Sequence, residues 1–486
     1  MEYEAVIGLE VHVQLKTESK MFTTARQGFG ASPNTYTDPV IMGLPGALPV
    51  MNLQAIEQSV RVGLICDSEI PEFCKWDRKN YFYPDSAKNY QITQYDQPIC
   101  VGGELEVELT GPSRNVMGEH RKVKLTRAHL EEDVGKLTHF ERDSLVDYNR
   151  AGTPLLEIVT EPDIRSSEEA VAFLQSLRMH LTAAGISDCD MEKGQMRCDA
   201  NVSLRPKGSD VLNTRTEMKN LNSISGVKNA IESEIRRQYR VYQKGGTIVQ
   251  ETRRWDADSG MTQSMRGKED AHDYRYFPDP DLMPVRLPRE KVESLRAELP
   301  ERVFDQQRRY QEQYDFPYTL TSVICFDFEL SRFFETAMAS YGKNPKALAN
   351  YIANDLQRER AQSEQDGLLP IIDVKMQPAQ LADLVRLVDE GVVAKHNARE
   401  VFIEMFNTGR DPEPIIKEKG LADDGDDGDL EAICKDAIAG NAKAAEEFRG
   451  GQAKAINSFM GPIMKASKGK ANPQKVREML EKLLSE

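Results

Sequence analysis

The chain has 486 residues, of which 40% are hydrophobic and 29% charged, and a formal net charge of −15 at pH 7. The length predicts two or three domains, and the composition excludes a wholly disordered chain. The charge argues against a simple nucleic-acid-coating protein, so any contact with nucleic acid must come from a local basic patch.

The N-terminal MEYEAVIGLEVHV has acids where a signal peptide carries bases. No uncharged apolar run is long enough to cross a bilayer, which predicts no membrane partner. From Val6 to Leu15 the sequence alternates: Ile7, Leu9, Val11, Val13 and Leu15 share one face of a strand, and Gly8, Glu10, His12 and Gln14 the other. Ser166-Ser167-Glu168-Glu169 reads as a helix start, Leu174, Leu177 and Leu181 as its apolar stripe, and Gly185 as its C-terminal stop. Asp199–Leu204 and Thr214–Leu221 read as two strands of a hairpin joined by RPKGSDVLN. Ile224, Val227, Ile231 and Ile235 mark a second helix that ends near Gly245-Gly246. One-sided strands and scattered helices predict an α+β fold with an antiparallel sheet. The stiff segment Phe277–Pro284, followed by Pro288, predicts a domain boundary, and beyond it the pattern is helical. A further break falls at Asn407–Pro414.

The last block is asymmetric in charge. Asp423–Glu447 holds nine acids and two bases, whereas Arg449–Arg477 holds seven bases and no acid. That run is either a solvated helical surface or a phosphate-binding patch, and no aromatic ladder accompanies it. The seven cysteines, odd in number and without a CxxC, read as reduced thiols of an intracellular protein.

No P-loop, GxGxxG, HExxH or GxSxG is present. Glu10 and His12, two apart on a strand, can share a metal or form a solvated face. In His129-Leu130-Glu131-Glu132-Asp133 three adjacent acids need either a cation or solvent. Alternation puts Glu131 and Glu132 on opposite faces without saying which turns inward. Asp199, Asn201, Glu217 and Lys219 meet across the predicted hairpin, either as oxygen ligands beside a lysine, as a magnesium-nucleotide site requires, or as cross-strand ion pairs. The stretch Trp76–Asp85 suits a phosphate or sugar contact, or a hairpin with aromatics in the core; Phe82 is expected in the core.

A set of long motifs then carries a resemblance: GLEVHVQL (8–15), GLPGALPVMN (43–52), DRKNYFYPD (77–85), HLEED (129–133), VDYNRAGTPLLEIVTEPDIRS (146–166), RCDANVSLRP (197–206), EMKNLNS (217–223), ETRRWD (251–256) and DYRYFPDPDLMPV (273–285). The chain resembles, over essentially its whole length, the B subunits of aspartyl/glutamyl-tRNA(Asn/Gln) amidotransferase, of the bacterial type that assembles with A and C subunits. The resemblance implies a cradle domain over 1–290, a helical domain over 291–408 and a small helical YqeY-like tail over 409–486, and the basic run in that tail makes Lys454, Lys465, Lys468 and Lys470 the expected tRNA contacts. It implies a cytoplasmic enzyme that uses ATP and Mg2+ to phosphorylate the side-chain carboxylate of Glu-tRNA(Gln) or Asp-tRNA(Asn). Ammonia released by the A subunit, an amidase, then travels through a channel and displaces the phosphate. The resemblance implies one ion held by Glu10, His12, Glu132 (with Glu131 as the close alternative) and Glu217. Lys79 is the implied residue for charge stabilisation or proton traffic, and Asp199 and Lys219 join it as catalytic candidates. Asn201 and Arg150 are nucleotide contacts on the same grounds. After YPD the chain reads SAKNYQ where many relatives carry LPKGYQ, so Lys88 keeps its place without the flanking proline and glycine.

Overall fold

A computed structural model describes residues 2–267, 273–364, 367–422, 427–450, 453–467 and 473–485. The chain divides into two compact units, Met1–Ser331 and Arg332–Glu486.

The first unit is built on a nine-stranded sheet. Its strands are β1 (Tyr3–Gln14), β2 (Cys100–Val101), β3 (Glu104–Glu108), β4 (His120–Glu132), β5 (Pro154–Thr160), β6 (Met196–Pro206), β7 (Thr216–Leu221), β8 (Glu251–Asp256) and β9 (Met261–Gly267). They lie in the order β9-β8-β7-β6-β1-β5-β4-β2, with β3 also paired to β4. Every pair is antiparallel except β7 with β8.

The alternation of β1 decides which face is covered. Ile7, Leu9, Val11 and Val13 are fully buried, while Glu10, His12 and Gln14 are only partly covered. Each such aliphatic side chain contributes about 1.5–3 kcal/mol on burial, so a slip by one residue would expose the whole stripe. Three helices, α1 (Leu53–Ile65), α2 (Ser167–Ala183) and α3 (Ile224–Gln243), supply partners for the core. Helix α2 starts where Ser166 accepts a hydrogen bond from the Glu169 amide, with Glu168 and Glu169 at the positive end of its dipole. It stops before Gly185, whose φ of 66° favours glycine. Ser223 caps α3 in the same way, and Val227, Ala230 and Ile231 face the core. With one face under helices, the polar residues of the central strands are left on the other.

A small sheet joins Asp77–Asn80 to Tyr90–Thr93 on one side and Phe277–Pro278 on the other. Phe82 is not in the core: it is 79% exposed. The strand ends at Asn80, and the chain then leaves the sheet, so no layer faces Phe82. Trp76 takes the core position instead, edge-on to Phe22 with ring centroids 5.0 Å apart. The helices Arg289–Ala297, Val303–Tyr314 and Tyr318–Cys325 belong to this first unit. Arg308 pairs with Glu106 (2.8 Å) and thereby ties them to β3.

The second unit is helical among its described residues. Pro378–Asp389 and Lys395–Thr408 pack together, and the second of these ends at Gly409 in the left-handed conformation. Near the end of the chain Cys434, Phe459, Ile463, Val476, Leu480 and Leu484 form a separate small core. All seven cysteines are free and buried, and burial pushes the Cys66 thiol up to about 12. Among the described residues no helix is long and apolar enough to cross a membrane.

Candidate functional site

Sheet register gathers the polar side chains. Across from Glu10 lies Asp199 of β6, and across from His12 lies Arg197 of β6 on one side and Glu157 of β5 on the other. Glu157 is in turn opposite His129 of β4, and Asn201 is opposite Glu217 of β7. Among the described residues two groups result: His12 with Glu131 and Glu157, and Glu10 with Asp199 and Glu217. In each, one ligand atom per residue lies within 4.8 Å of the others.

In the first group His12 Nε2 is 3.2 Å from Glu157 Oε2, and His129 Nε2 is 3.7 Å from the same oxygen. Lys79 Nζ is 3.7 Å from Glu131 Oε2, which also accepts from the Thr93 hydroxyl at 3.4 Å. Burial opposes the charge on His12, but the hydrogen bond and charge of Glu157 outweigh it, so its pKa is raised. Burial likewise opposes the charge on Glu157, and His12, His129 and Lys79 together hold its carboxyl well below the usual range. The pKa of His129 is pushed down, because burial outweighs the charges of Glu157 and Glu131. Lys79 is raised because Glu131 and its other neighbours outweigh burial.

In the second group Lys219 Nζ is 2.6 Å from Asp199 Oδ2 and 3.0 Å from Glu217 Oε1. Asn201 Nδ2 donates to Glu10 Oε1 at 2.9 Å, and the Thr252 hydroxyl donates to Glu217 Oε2 at 2.8 Å. Asp199 and Glu217 hold Lys219 protonated against its burial. Glu10 is different. Burial first, then Glu157, Glu217 and Asp199, push its carboxyl up, and Lys219 offsets this only in part. A carboxylate crowded by three others, with one lysine to offset them, is stabilised by further positive charge, and a divalent cation supplies that. The Glu10 group is all oxygen, the donor set a hard cation such as magnesium takes; the His12 group adds one imidazole nitrogen. The residues present fit such an ion at either place.

The residues implied to share one ion are therefore brought into two groups. Glu131 stands with His12, whereas Glu132 points to the other side of β4. There Glu132 pairs with Lys88 and accepts from the Ile92 amide at 2.9 Å. Asp199, Asn201 and Lys219 all meet the Glu10 group. Arg150 donates to the Val134 and Gly135 carbonyls at 2.9 and 2.8 Å, which fastens the loop after β4. Lys465 is exposed. Lys468 and Lys470 lie outside the described residues, as does the side chain of Lys454. Sequence reasoning did not single out Glu157. Its signal was available: in Leu156-Glu157-Ile158 a lone acid alternates with two core residues, which sets it on the polar face. Asp133 was also unassigned. It is buried and accepts from Arg197 (3.1 Å) and Gln14 (2.9 Å), locking β4, β1 and β6 together beside the site.

Comparison with known proteins gives matches over both parts of the chain. Residues 5–293 match the family described as the GatB/GatE catalytic domain, and residues 332–484 match the GatB domain. The chain is 58% identical to a protein of Opitutus terrae over the full length of both. It is 46% identical to one of Carboxydothermus hydrogenoformans, over all of this chain and 99% of the other. A protein of Persephonella marina is 44% identical over the whole of both chains. All three are named as B subunits of aspartyl/glutamyl-tRNA(Asn/Gln) amidotransferase.

Proposed function

The chain belongs to the family of aspartyl/glutamyl-tRNA(Asn/Gln) amidotransferase B subunits, in the class of glutamine-dependent carbon–nitrogen ligases, and from that premise we propose its chemistry. The polar face of the sheet activates the side-chain carboxylate of Glu-tRNA(Gln) or Asp-tRNA(Asn) with ATP. A carboxylate oxygen attacks the γ-phosphorus, the bond to the β-phosphate oxygen breaks, and ADP leaves. Ammonia then attacks the acyl carbon, loses a proton, and inorganic phosphate departs with the former carboxylate oxygen. The activation is needed because oxide is an impossible leaving group and phosphate an acceptable one.

The observation that carries this reading is the gathering of five carboxylates with His12 and Lys219 on one sheet face, with Lys79 reaching it from the small sheet. A protein that only held a polyanion would have no use for such a cluster. Magnesium bound there supplies charge neutralisation for the transferring phosphoryl group. His12, Glu131 and Glu157 would hold one ion, and Glu10, Asp199 and Glu217 another. Lys219, already placed between two carboxylates, adds a positive charge beside the nucleotide. Lys79, paired with Glu131 at the edge where the small sheet meets β4, keeps its proton and sets a positive charge beside the carboxylate that ammonia attacks once it is phosphorylated. Asn201 orients Glu10. The amidase partner (the A chain of the complex) supplies ammonia through a channel, the small C chain completes the assembly, and the tail binds the tRNA through Lys454, Lys465, Lys468 and Lys470. The complex works in the cytoplasm.

The test is phosphate release from ATP by the assembled complex with misacylated tRNA. It should require magnesium and be lost in Glu10→Ala while tRNA binding persists. Wild-type turnover in that variant at ordinary magnesium would overturn the assignment.

A further inference from the structure

Beside the carboxylate clusters lies a group of tyrosines that the proposed chemistry does not use. Lys79 Nζ sits 5.1 Å from the centre of the Tyr274 ring. The Tyr274 and Tyr276 rings are 5.9 Å apart at 65°, and Tyr276 stacks on Tyr95 at 4.2 Å and 8°. Tyr95 is 51% exposed, so the stack ends at an open surface.

The platform is built rather than incidental. Asn80 Nδ2 donates to the Tyr274 carbonyl at 3.0 Å and to the Arg275 carbonyl at 2.9 Å, which fixes the segment to the strand that carries Lys79. Arg275 has a φ of 45°, a left-handed conformation that an arginine adopts only when its surroundings impose it. The outcome is that two neighbouring tyrosines keep their rings near each other while the Arg275 side chain, 79% exposed, projects outward. Arg127 donates to the Tyr95 carbonyl at 2.8 Å and adds a second guanidinium beside the stack.

An aromatic surface flanked by arginines is the chemistry that binds an unpaired base of a single-stranded nucleic acid. Position supplies the second argument. The reacting amino acid is esterified to the terminal ribose, so a side-chain carboxylate in reach of Lys79 and Glu131 brings the terminal base within on the order of 10 Å. The two short steps from Lys79 through Tyr274 to Tyr276 cover that reach. We propose that the Tyr95–Tyr276 stack receives the 3′-terminal base of the aminoacylated acceptor strand, with Arg127 and Arg275 beside its phosphates. This rests on the reading that the sheet face activates an aminoacyl-tRNA. The terminal base then serves as a fixed end from which the amino acid side chain extends toward Glu131 and Lys79.

The experiment uses the assembled complex and tRNA(Gln) carrying 2-aminopurine in place of the 3′-terminal adenine. Stacking quenches that fluorophore. The expected result is quenching with the wild type and with Tyr95→Phe, and its loss with Tyr95→Ala, together with a roughly 10- to 100-fold rise in the dissociation constant of a short CCA-ended acceptor-stem duplex. Quenching that survives Tyr95→Ala, or none with the wild type, would overturn the proposal. So would intact quenching with weakened binding of the amidase partner, which would make the surface a protein contact. ATP-dependent phosphate release by the wild type, measured in the same samples, reports separately on the underlying reading.

Discussion

Replacing Glu10 by glutamine tests the electrostatics of the site without changing its shape. Gln keeps an oxygen for the Asn201 amide, which donates to Glu10 Oε1 at 2.9 Å. What it removes is one charge from a group whose ligand atoms lie within 4.8 Å of one another. Two like charges at that distance repel by about 1 kcal/mol in water and about 3.5 kcal/mol at the effective dielectric of a protein surface. Glu10 faces two such neighbours within its group, Asp199 and Glu217, and Lys219 offsets one of them. The net relief is then about 1–3 kcal/mol, and Glu10→Gln should be more stable than the wild type in EDTA. Magnesium should reverse the order, because ion binding stabilises the wild type in proportion to its affinity. The pH dependence has a definite sign. The folded pKa of Glu10 lies above its unfolded value, so its contribution is favourable when protonated and is lost as pH rises through the folded pKa. The advantage of the variant in EDTA should therefore shrink as pH falls toward 4.5. Urea titrations with and without magnesium provide the assay. A variant that is less stable in EDTA and gains as much from magnesium as the wild type would show that the Glu10 carboxylate is neither crowded without the ion nor part of its site.

The two adjacent acids of β4 should separate cleanly. Glu131→Gln is expected to raise the magnesium needed for half-maximal phosphate release by about 10- to 100-fold, whereas Glu132→Gln should lower the melting temperature and leave that requirement unchanged. Lys20 is fully buried, donates to the Tyr36 and Ala151 carbonyls, and is pushed down to about 8 by burial. Its penalty disappears as pH rises from the folded to the unfolded pKa, so the stability of the wild type relative to Lys20→Met should grow by about 3 kcal/mol between pH 8 and pH 10.5; a difference flat with pH would contradict this. Changing Lys454, Lys465, Lys468 and Lys470 to alanine should weaken tRNA binding and flatten the slope of log Kd against log salt by roughly 0.7–0.9 for each phosphate no longer neutralised. An unchanged slope would leave the tail as a solvated surface.

Much of the fold could be read from local pattern. The alternation in β1 has one solution, because five aliphatic residues must share a face. The caps of α2 and α3 are set by serines whose hydroxyls meet amides three residues on. The β6–β7 hairpin was likewise legible, and with it the meeting of Asp199 with Lys219. What local pattern lacks is the identity of the neighbouring strand. Glu10 and His12 look like one pair in sequence, yet β6 supplies the partner of the first and β5 the partner of the second, so they end in different groups. For the same reason alternation placed Glu131 and Glu132 on opposite faces without ranking them; only pairing of β4 with β5 aligns Glu131 with the His12 side. Phe82 failed differently. Its hydrophobicity said core, but a residue past the end of a short strand has no opposing layer to pack against.

On this sheet face the substrate carboxylate itself is proposed to take the phosphoryl group. This is tested most directly by loading tRNA(Gln) with glutamate labelled with oxygen-18 in the side-chain carboxylate and following the label during amidation by the assembled complex. Each phosphate released should carry one labelled oxygen, in step with Gln-tRNA formation. Unlabelled phosphate accompanying full amidation would contradict it, since ATP would then be cleaved by water rather than by the carboxylate.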